Sequence, residues 1–514
     1  MIYDCKRFCP QIKKQVQQRC IRMKNKLYLY LFLGLVTILL AAVGTDPRFV
    51  AAQSPNQWSP QKRIPGIYAQ QRQLVLVADQ NRTVHAFNHQ KIEDVEAIVY
   101  LQWSLEQGWT TPIDILVPPS SSSIQIMDAF LDQAGVMHIV FEMDGGIYYS
   151  RAMALNAGQA SAWSVPELIG EQAKSPFNAA LVGDDRGNLI LTYSGKRDGN
   201  GVYVVYSNDG GNTWSSANPI FLTYDDKVVV VDTQAILNQS GRLHAVWDIV
   251  NESGHGEGGY YANLDVERER WSEPLDLDVT EGLGIRFPSL VEYDGEIFVS
   301  YYNGRANANW WRRSNDGGQT WSEPVRVSPR HVGLNGPISF VVDNNNILHM
   351  FFGQRINDLN HGMWHSIWQG YGWTDPEAVV SGPMSQVPGK EFDPHSASAV
   401  VSQGNVILVT WTTDAQVMVD DVWYSYIILD APELPVVALP TPTGPTPVPA
   451  PTATPSLIKP TPSPTRHVLT NYQNTDTAGG TSNPATPIIA GIVPVVFLIS
   501  VFIVVYRLNQ RGRG

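Results

Sequence analysis

Between Gln57 and Leu429 apolar and polar residues alternate in short runs rich in Tyr, Trp and β-branched side chains, and helical spacing is absent between them. Period-two patterning of this kind predicts half-buried β-strands. The runs recur at a fixed interval. A tryptophan followed by Ser or Thr precedes an apolar run and a turn at Trp58, Trp109, Trp163, Trp214, Trp271, Trp321 and Trp373, in steps of 51, 54, 51, 57, 50 and 52 residues. Units of that size match a four-stranded propeller blade and exceed helical repeats.

A second marker, a turn and then an apolar strand, runs in phase with the first. It covers Asp79–Phe87, Asp132–Phe141, Asp185–Tyr193, Asn238–Trp247, Asp294–Tyr301, Asp343–Phe351 and Ser402–Trp411. Each leads through a loop to a strand such as Ile147–Ser150, Val202–Ser207 or Val422–Ile428. The pattern predicts an all-β domain over residues 53–431, a seven-bladed β-propeller of four-stranded blades. Trp58 precedes the first complete unit, and no tryptophan segment follows Leu429. The residues after Trp58 should therefore supply the outer strand of the seventh blade, closing the ring and leaving no free sheet edge.

Hydropathy changes the picture only at the ends. Residues 1–52 contain an apolar run, Tyr28–Gly44, preceded by Arg22, Lys24 and Lys26 and followed by small residues around Ala51 and Ala52. That is the pattern of an export signal, with Met23 as an alternative start; cleavage is favoured over retention as a short anchor. Residues 432–487 are dense in Pro and Thr, which predicts an extended, semi-rigid stalk. Ile488–Tyr506 carries no charge and is followed by Arg507, Arg511 and Arg513. A transmembrane helix over 488–506 with a basic cytoplasmic tail over 507–514 is expected, which makes a single-pass cell-membrane protein with its propeller outside.

All three cysteines, Cys5, Cys9 and Cys20, precede the apolar run, so no disulfide framework is expected in the exported part. The net charge of −12 conceals basic ends; between residues 28 and 506 there are 25 basic against 47 acidic residues, close to −22. Such a surface repels nucleic acid and anionic lipid, and an anionic ligand would need a local arginine cluster.

Two turns are sharper than the rest: Ser207-Asn208-Asp209-Gly210-Gly211-Asn212-Thr213-Trp214 and Ser314-Asn315-Asp316-Gly317-Gly318-Gln319-Thr320-Trp321. The Asp is placed to accept turn N–H groups, the glycines allow positive φ, and the Trp can pack beside the adjoining blade. Ser207, Asp209, Gly211, Thr213 and Trp214 are accordingly structural, as are Ser314, Asp316, Gly318, Thr320 and Trp321.

These turns resemble the Asp-boxes, or bacterial neuraminidase repeats, of the sialidase superfamily, with worn versions ending at Trp163, Trp271 and Trp373, over roughly Gln57 to Leu429. The resemblance implies a β-propeller, with the six-bladed sialidase ring as the alternative count. It also implies an arginine triad for a substrate carboxylate, an Asp acid/base, and a Tyr nucleophile assisted by Glu. Arg63, in Arg63-Ile64-Pro65, looks like the first-arginine motif, although the repeat register puts it on the outer strand of blade seven. Arg305, in Asn303-Gly304-Arg305, is similar to the second-arginine context, and Arg355 to the third. Arg286, in Arg286-Phe287-Pro288, aligns with the same pattern as Arg63 at an inner-strand start. The acid/base loop offers Glu93 or Asp94. The catalytic set is incomplete: Phe287 or Pro288 stands where the Glu is expected, and Asp393-Pro394-His395-Ser396 where the Tyr is.

Strand order independently puts the loops between second and third strands on the same face as the inner-strand starts, the funnel face. It gathers the candidate ligand-binding residues Arg286, Arg305 and Arg355, and the candidate catalytic residues Glu93, Asp94, Asp393 and His395, so carboxylate pairs for glycoside hydrolysis are available. His255, His361 and His395 come from different blades without the close spacing of a metal site, and no metal or cofactor is expected. Asp-boxes also occur in secreted receptors and assembly factors, and fold does not decide function. The preferred reading is a surface-anchored propeller binding extracellular glycans or glycoconjugates. The alternatives are an exo-acting, sialidase-like glycoside hydrolase, and an interaction or assembly module whose partner is a surface protein.

Overall fold

The computed structural model describes residues 56–441 apart from 70–73, 93–94, 120–122, 172–178, 226, 239, 266–269, 278–283, 385–391 and 414–419. The expected signal run, the 488–506 span and stalk residues beyond 441 lie outside the described residues, as do Glu93 and Asp94. Among the described residues no helix is long and apolar enough to cross a membrane.

The alternating runs form seven antiparallel sheets, each ordered from an inner to an outer strand. Blade 1 comprises Val75–Ala78, Val84–Ile92 and Val95–Ser104, with an outer strand split into Gly108–Trp109 and Ile113–Leu116. Blades 2 and 3 begin on inner strands Ile124–Leu131 and Ala179–Gly183, blade 4 on Val228–Leu237, blade 5 on Ile285–Tyr293 and blade 6 on Ser339–Val342. Blade 7 is composite: Pro394–Ser402, Val406–Thr413 and Asp420–Ile428 are completed by the N-terminal strand Lys62–Ala69. Inner strands of neighbouring blades pack side by side, and Val75–Ala78 against Pro394–Ser402 closes the ring. Seven sheets set aside the six-bladed alternative.

The closing strand pairs Lys62 with Tyr424 and Arg63 with Trp423. Ile64 and Ile67 are fully buried in one cluster with Val84, Val99 and Leu101 of blade 1 and Val406, Leu408 and Val422 of blade 7. The core of the molecule is a series of such clusters between blades, which is why each second strand is buried along most of its length.

One polar motif recurs between blades. In blade 2, Asp132 caps the turn, its Oδ2 lies 3.3 Å from His138 Nε2, and His138 Nδ1 lies 2.6 Å from the Tyr149 hydroxyl. Blade 1 repeats it with Asp79, His85 and Tyr100. In blade 4 Asn238 replaces the Asp, and burial, helped by Arg242, pushes His244 down to about 4. The Tyr hydroxyls reach the Asp-box-like turn of the next blade: a Cβ on Gly211 would sit 2.0 Å from Tyr149 Oη, and one on Gly318 only 1.8 Å from Tyr261 Oη. Both glycines also have positive φ, 79° and 88°, so no other residue fits there. Trp214 then packs edge-on against Tyr149 at 5.1 Å and Trp321 against Tyr261 at 4.9 Å, the neighbour contact expected of the box.

Within the boxes Asp209 accepts from Thr213 Oγ1 at 2.7 Å and from the Thr213 and Asn212 N–H groups, and Asp316 repeats this with Thr320 and Gln319. Those hydrogen bonds, the Thr hydroxyl first, lower both carboxyls to about 2. At the worn box before Trp163 two short 3-10 turns, Ala154–Asn156 and Ala160–Ala162, stand in for the Asp turn, and Trp163 Nε1 donates to the Ala157 carbonyl at 2.9 Å.

Candidate functional site

The funnel face is shaped by bulges near the starts of inner strands. Register slips at Asp232 in blade 4, Phe287 in blade 5 and Ser396 in blade 7, and each of these residues has positive φ, 50°, 53° and 55°. A bulge re-aims the side chains around it, and bulges collect beside functional sites. Here they bring charged residues of blades 4 and 5 together.

Arg286 opens the inner strand of blade 5 as its sequence context suggested, but its donors are already engaged. Its Nε lies 3.0 Å from Asp248 Oδ2, its Nη2 3.5 Å from Asp232 Oδ2 and its Nη1 2.5 Å from the Gly254 carbonyl. The fork expected to hold a ligand carboxylate faces the protein's own Asp248 and Asp232 carboxyls. Asp248 is fully buried, and burial, with the nearby Asp232 charge, holds its pKa well above the carboxylate range against the pull of Arg286.

Arg63 is placed by its strand. On the outer edge of blade 7 it pairs with Asp421 at 2.8 Å, away from the inner-strand starts, so it does not join the other arginines. Arg305 is exposed in the loop between second and third strands of blade 5, and Arg355 is half-buried near the end of the second strand of blade 6. Neither has an ion pair among the described residues, whereas Arg63, Arg82, Arg286, Arg313 and Arg330 each face a carboxylate. One segment joins their surroundings. Gly333 N–H donates to the Asn307 carbonyl at 3.1 Å, and Val332 and Arg355 exchange backbone hydrogen bonds of 2.8 and 2.9 Å. Tyr302, paired with Arg286 in the sheet, donates to Asn307 Oδ1 at 2.9 Å. Burial raises its pKa while the nearby Arg355 charge opposes, so the phenol stays protonated.

The same segment reaches blade 7. Asn335 Nδ2 lies 2.9 Å from Asp393 Oδ1, which also lies 2.8 Å from His361 Nδ1. His361 is fully buried, and its Nε2 has no hydrogen-bond partner among the described residues. His395 faces Ser396 and Thr412 at 3.0 Å each. Among the described residues no group of three or more His, Cys, Asp or Glu could hold a metal ion.

Sequence reading missed Asp232, Tyr302 and Asn335. Asp232 ends a run of four valines and reaches Arg286 only through the bulge; Asn335 lies in a connection without periodicity. Neither position carries a motif.

Asp128, on the inner strand of blade 2, links blades: its carboxylate accepts the Leu181 and Ala129 N–H groups at 2.8 Å each. Burial, opposed by those hydrogen bonds, raises its pKa to about 7. A folded pKa above the unfolded one means that folding takes up a proton, so stability present at pH 4 is lost as pH rises towards 7. The slope is at most about 1.4 kcal/mol per pH unit, and less where solvent along the axis reaches the carboxyl. Asp128→Asn is expected to flatten the fall in Tm between pH 4 and 7; an unchanged profile would show that Asp128 does not titrate there.

No protein-family model matches this chain, and no curated protein matches it. Among solved structures it is similar to an ulvan lyase of a new polysaccharide lyase family (12% identity, 74% of this chain and 97% of that one, TM-score 0.50). It is also similar to the intramolecular trans-sialidase of Ruminococcus gnavus (13% identity, 72% and 96%, TM-score 0.43) and to the Aleuria aurantia lectin (13%, 63% and 98%, TM-score 0.39). At these identities the likeness is one of fold.

Proposed function

We propose that this protein is a surface-displayed propeller that binds an anionic extracellular glycan on its funnel face. The ring would be held outside the cell by the apolar span at 488–506. The observation that carries the reading is the pair Arg305 and Arg355: two guanidinium groups on one face, without ion pairs among the described residues, on a strongly acidic chain. Guanidinium forks suit carboxylate and sulfate groups, and each charge-assisted hydrogen bond is worth about 1.5–3 kcal/mol.

The test is a glycan-binding screen of the full-length chain, comparing uronate, sialate and sulfated glycans with neutral ones. Acidic glycans should bind selectively, and Arg305→Ala/Arg355→Ala should weaken binding by about 100-fold while leaving Tm in place. Equal binding of neutral glycans, or an unaffected double variant, would overturn the reading.

A hydrolytic reading rests on the Asp232/Asp248 pair, since a carboxyl held protonated is what a general acid needs. Asp248 is fully buried and committed to Arg286, which puts binding first. Release of sugar from an acidic glycoside, lost in Asp248→Asn with binding retained, would reverse that order.

A further inference from the structure

The segment that follows blade 7 does not leave the ring at once. Asp430 to Pro440 lies along the face opposite the funnel, over the turns between first and second strands. The Asn345 and Asn344 side chains of blade 6 donate to the Asp430 and Pro432 carbonyls at 2.9 and 2.8 Å. Leu434 N–H donates to the Gln403 carbonyl of blade 7 at 2.8 Å, and Val437 N–H to the Gln80 carbonyl of blade 1 at 2.9 Å. Arg82 of blade 1 pairs with Glu433 at 2.9 Å. Leu439 packs against the cluster shared by blades 1 and 2, which includes Phe87, Ile98, Met137 and Ile139.

Two glycines cradle this segment. A Cβ on Gly404 would stand 2.8 Å from the Leu434 side chain, and one on Gly135 would stand 2.7 Å from Pro440. A cavity of about 270 Å³ lies beside it, walled by the turns of blades 1, 6 and 7 and by Leu434. The contacts run from blade 6 to blade 2 and cross the junction of blades 7 and 1. That junction is the place where strands from the two ends of the domain must find each other, and where a ring opens first because its partners are distant in sequence.

We propose that Asp430–Pro440 is a second closure of the ring: a latch that holds the junction of blades 7 and 1 and fixes the chain's exit on the face opposite the funnel. Its sequence suits the task. Proline and valine keep it extended, so little entropy is lost on docking, and its backbone carbonyls and N–H groups both take part in the bonds. Leu434, Val436 and Val437 remain about half exposed, so the latch is held by hydrogen bonds and glycine cradles rather than by a core of its own.

The test is hydrogen exchange on the full-length chain carrying Glu433→Lys/Leu434→Asp, which repels Arg82 and strips Leu434 from its cradle. Amides of Lys62–Ala69, Val75–Ala78 and Asp420–Ile428 should exchange about ten-fold faster, while blades 3 to 5 keep their wild-type rates. A second full-length chain, with its three native cysteines changed to serine, carries Gln80→Cys/Val437→Cys at a backbone-bonded pair. Oxidation should join them, and the cross-link added to the latch variant should restore slow exchange. Unchanged exchange, acceleration spread evenly over all seven blades, or failure of the two cysteines to join would each overturn the latch.

Discussion

Ile64→Asp is expected to leave the full-length chain without a folded ring. Ile64 is fully inaccessible and touches a cluster built from both blade 7 and blade 1, so the carboxylate has neither solvent nor partner. Full burial of such a side chain contributes about 1.5–3 kcal/mol, and an unpaired buried charge costs several kcal/mol more. The combined loss, more than about 5 kcal/mol, is comparable with the whole stability of a domain. The strand cannot move aside either. Ser59 N–H donates to the Tyr426 carbonyl, Ser425 Oγ donates to the Ser59 carbonyl, and Trp58 packs on Phe351 and His365 of blade 6. Limited proteolysis and thermal melting decide the matter: a variant that resists protease and melts cooperatively near the parent temperature would show that the ring holds without this strand. Ile64→Val, which keeps the shape, should cost only about 0.5–1.5 kcal/mol.

Arg286→Ala should be nearly as damaging, for an electrostatic reason with a definite pH dependence. The substitution leaves Asp248 buried without the cation that favours its ionised form, and breaking a buried ion pair from one side costs up to about 3–5 kcal/mol where that carboxyl is charged. Asp248 already has a raised folded pKa, so its contribution to stability is greatest below the unfolded carboxyl pKa and falls as pH rises above it. Losing the arginine raises that pKa further and carries the fall to higher pH at the same limiting slope. Denaturant unfolding at pH 4.5 and 7.5 should therefore show a smaller penalty at the lower pH than at the higher. Asp248→Asn in the same chain should recover much of it. An equal penalty at both pH values would mean that Arg286 acts through packing alone.

Much of the architecture was legible because each blade repeats one solution to one problem. The tryptophan spacing, the turn before each second strand and the surplus N-terminal marker at Trp58 report local chemistry, and local chemistry is written in contiguous residues. The two Ser-Asn-Asp-Gly-Gly turns were readable for the same reason: Ser, Asp, paired Gly, Thr and Trp lie within eight positions, and the turn satisfies itself. The candidate site was legible only in its membership. Arg286, Arg305, Arg355 and Asp393 all stand in the neighbourhood of the funnel face, yet their states follow from partners a blade away.

Those states were decided by tertiary structure. Arg286 became a structural cation because a bulge at Asp232 and the burial of Asp248 brought two carboxyls to it. Asp393 found His361 and Asn335, both distant in sequence. The first residues of a stretch that composition marks as stalk became part of the ring through backbone bonds to Gln80 and Gln403. By itself the sequence determined the all-β repeat, its period, its seven-fold count and its closure, because alternation and turn chemistry act over a few residues. Only the closed ring decided which charges pair with each other and which do not, because Coulomb and hydrogen-bond partners are chosen by distance in space, and a propeller brings together residues tens to hundreds of positions apart.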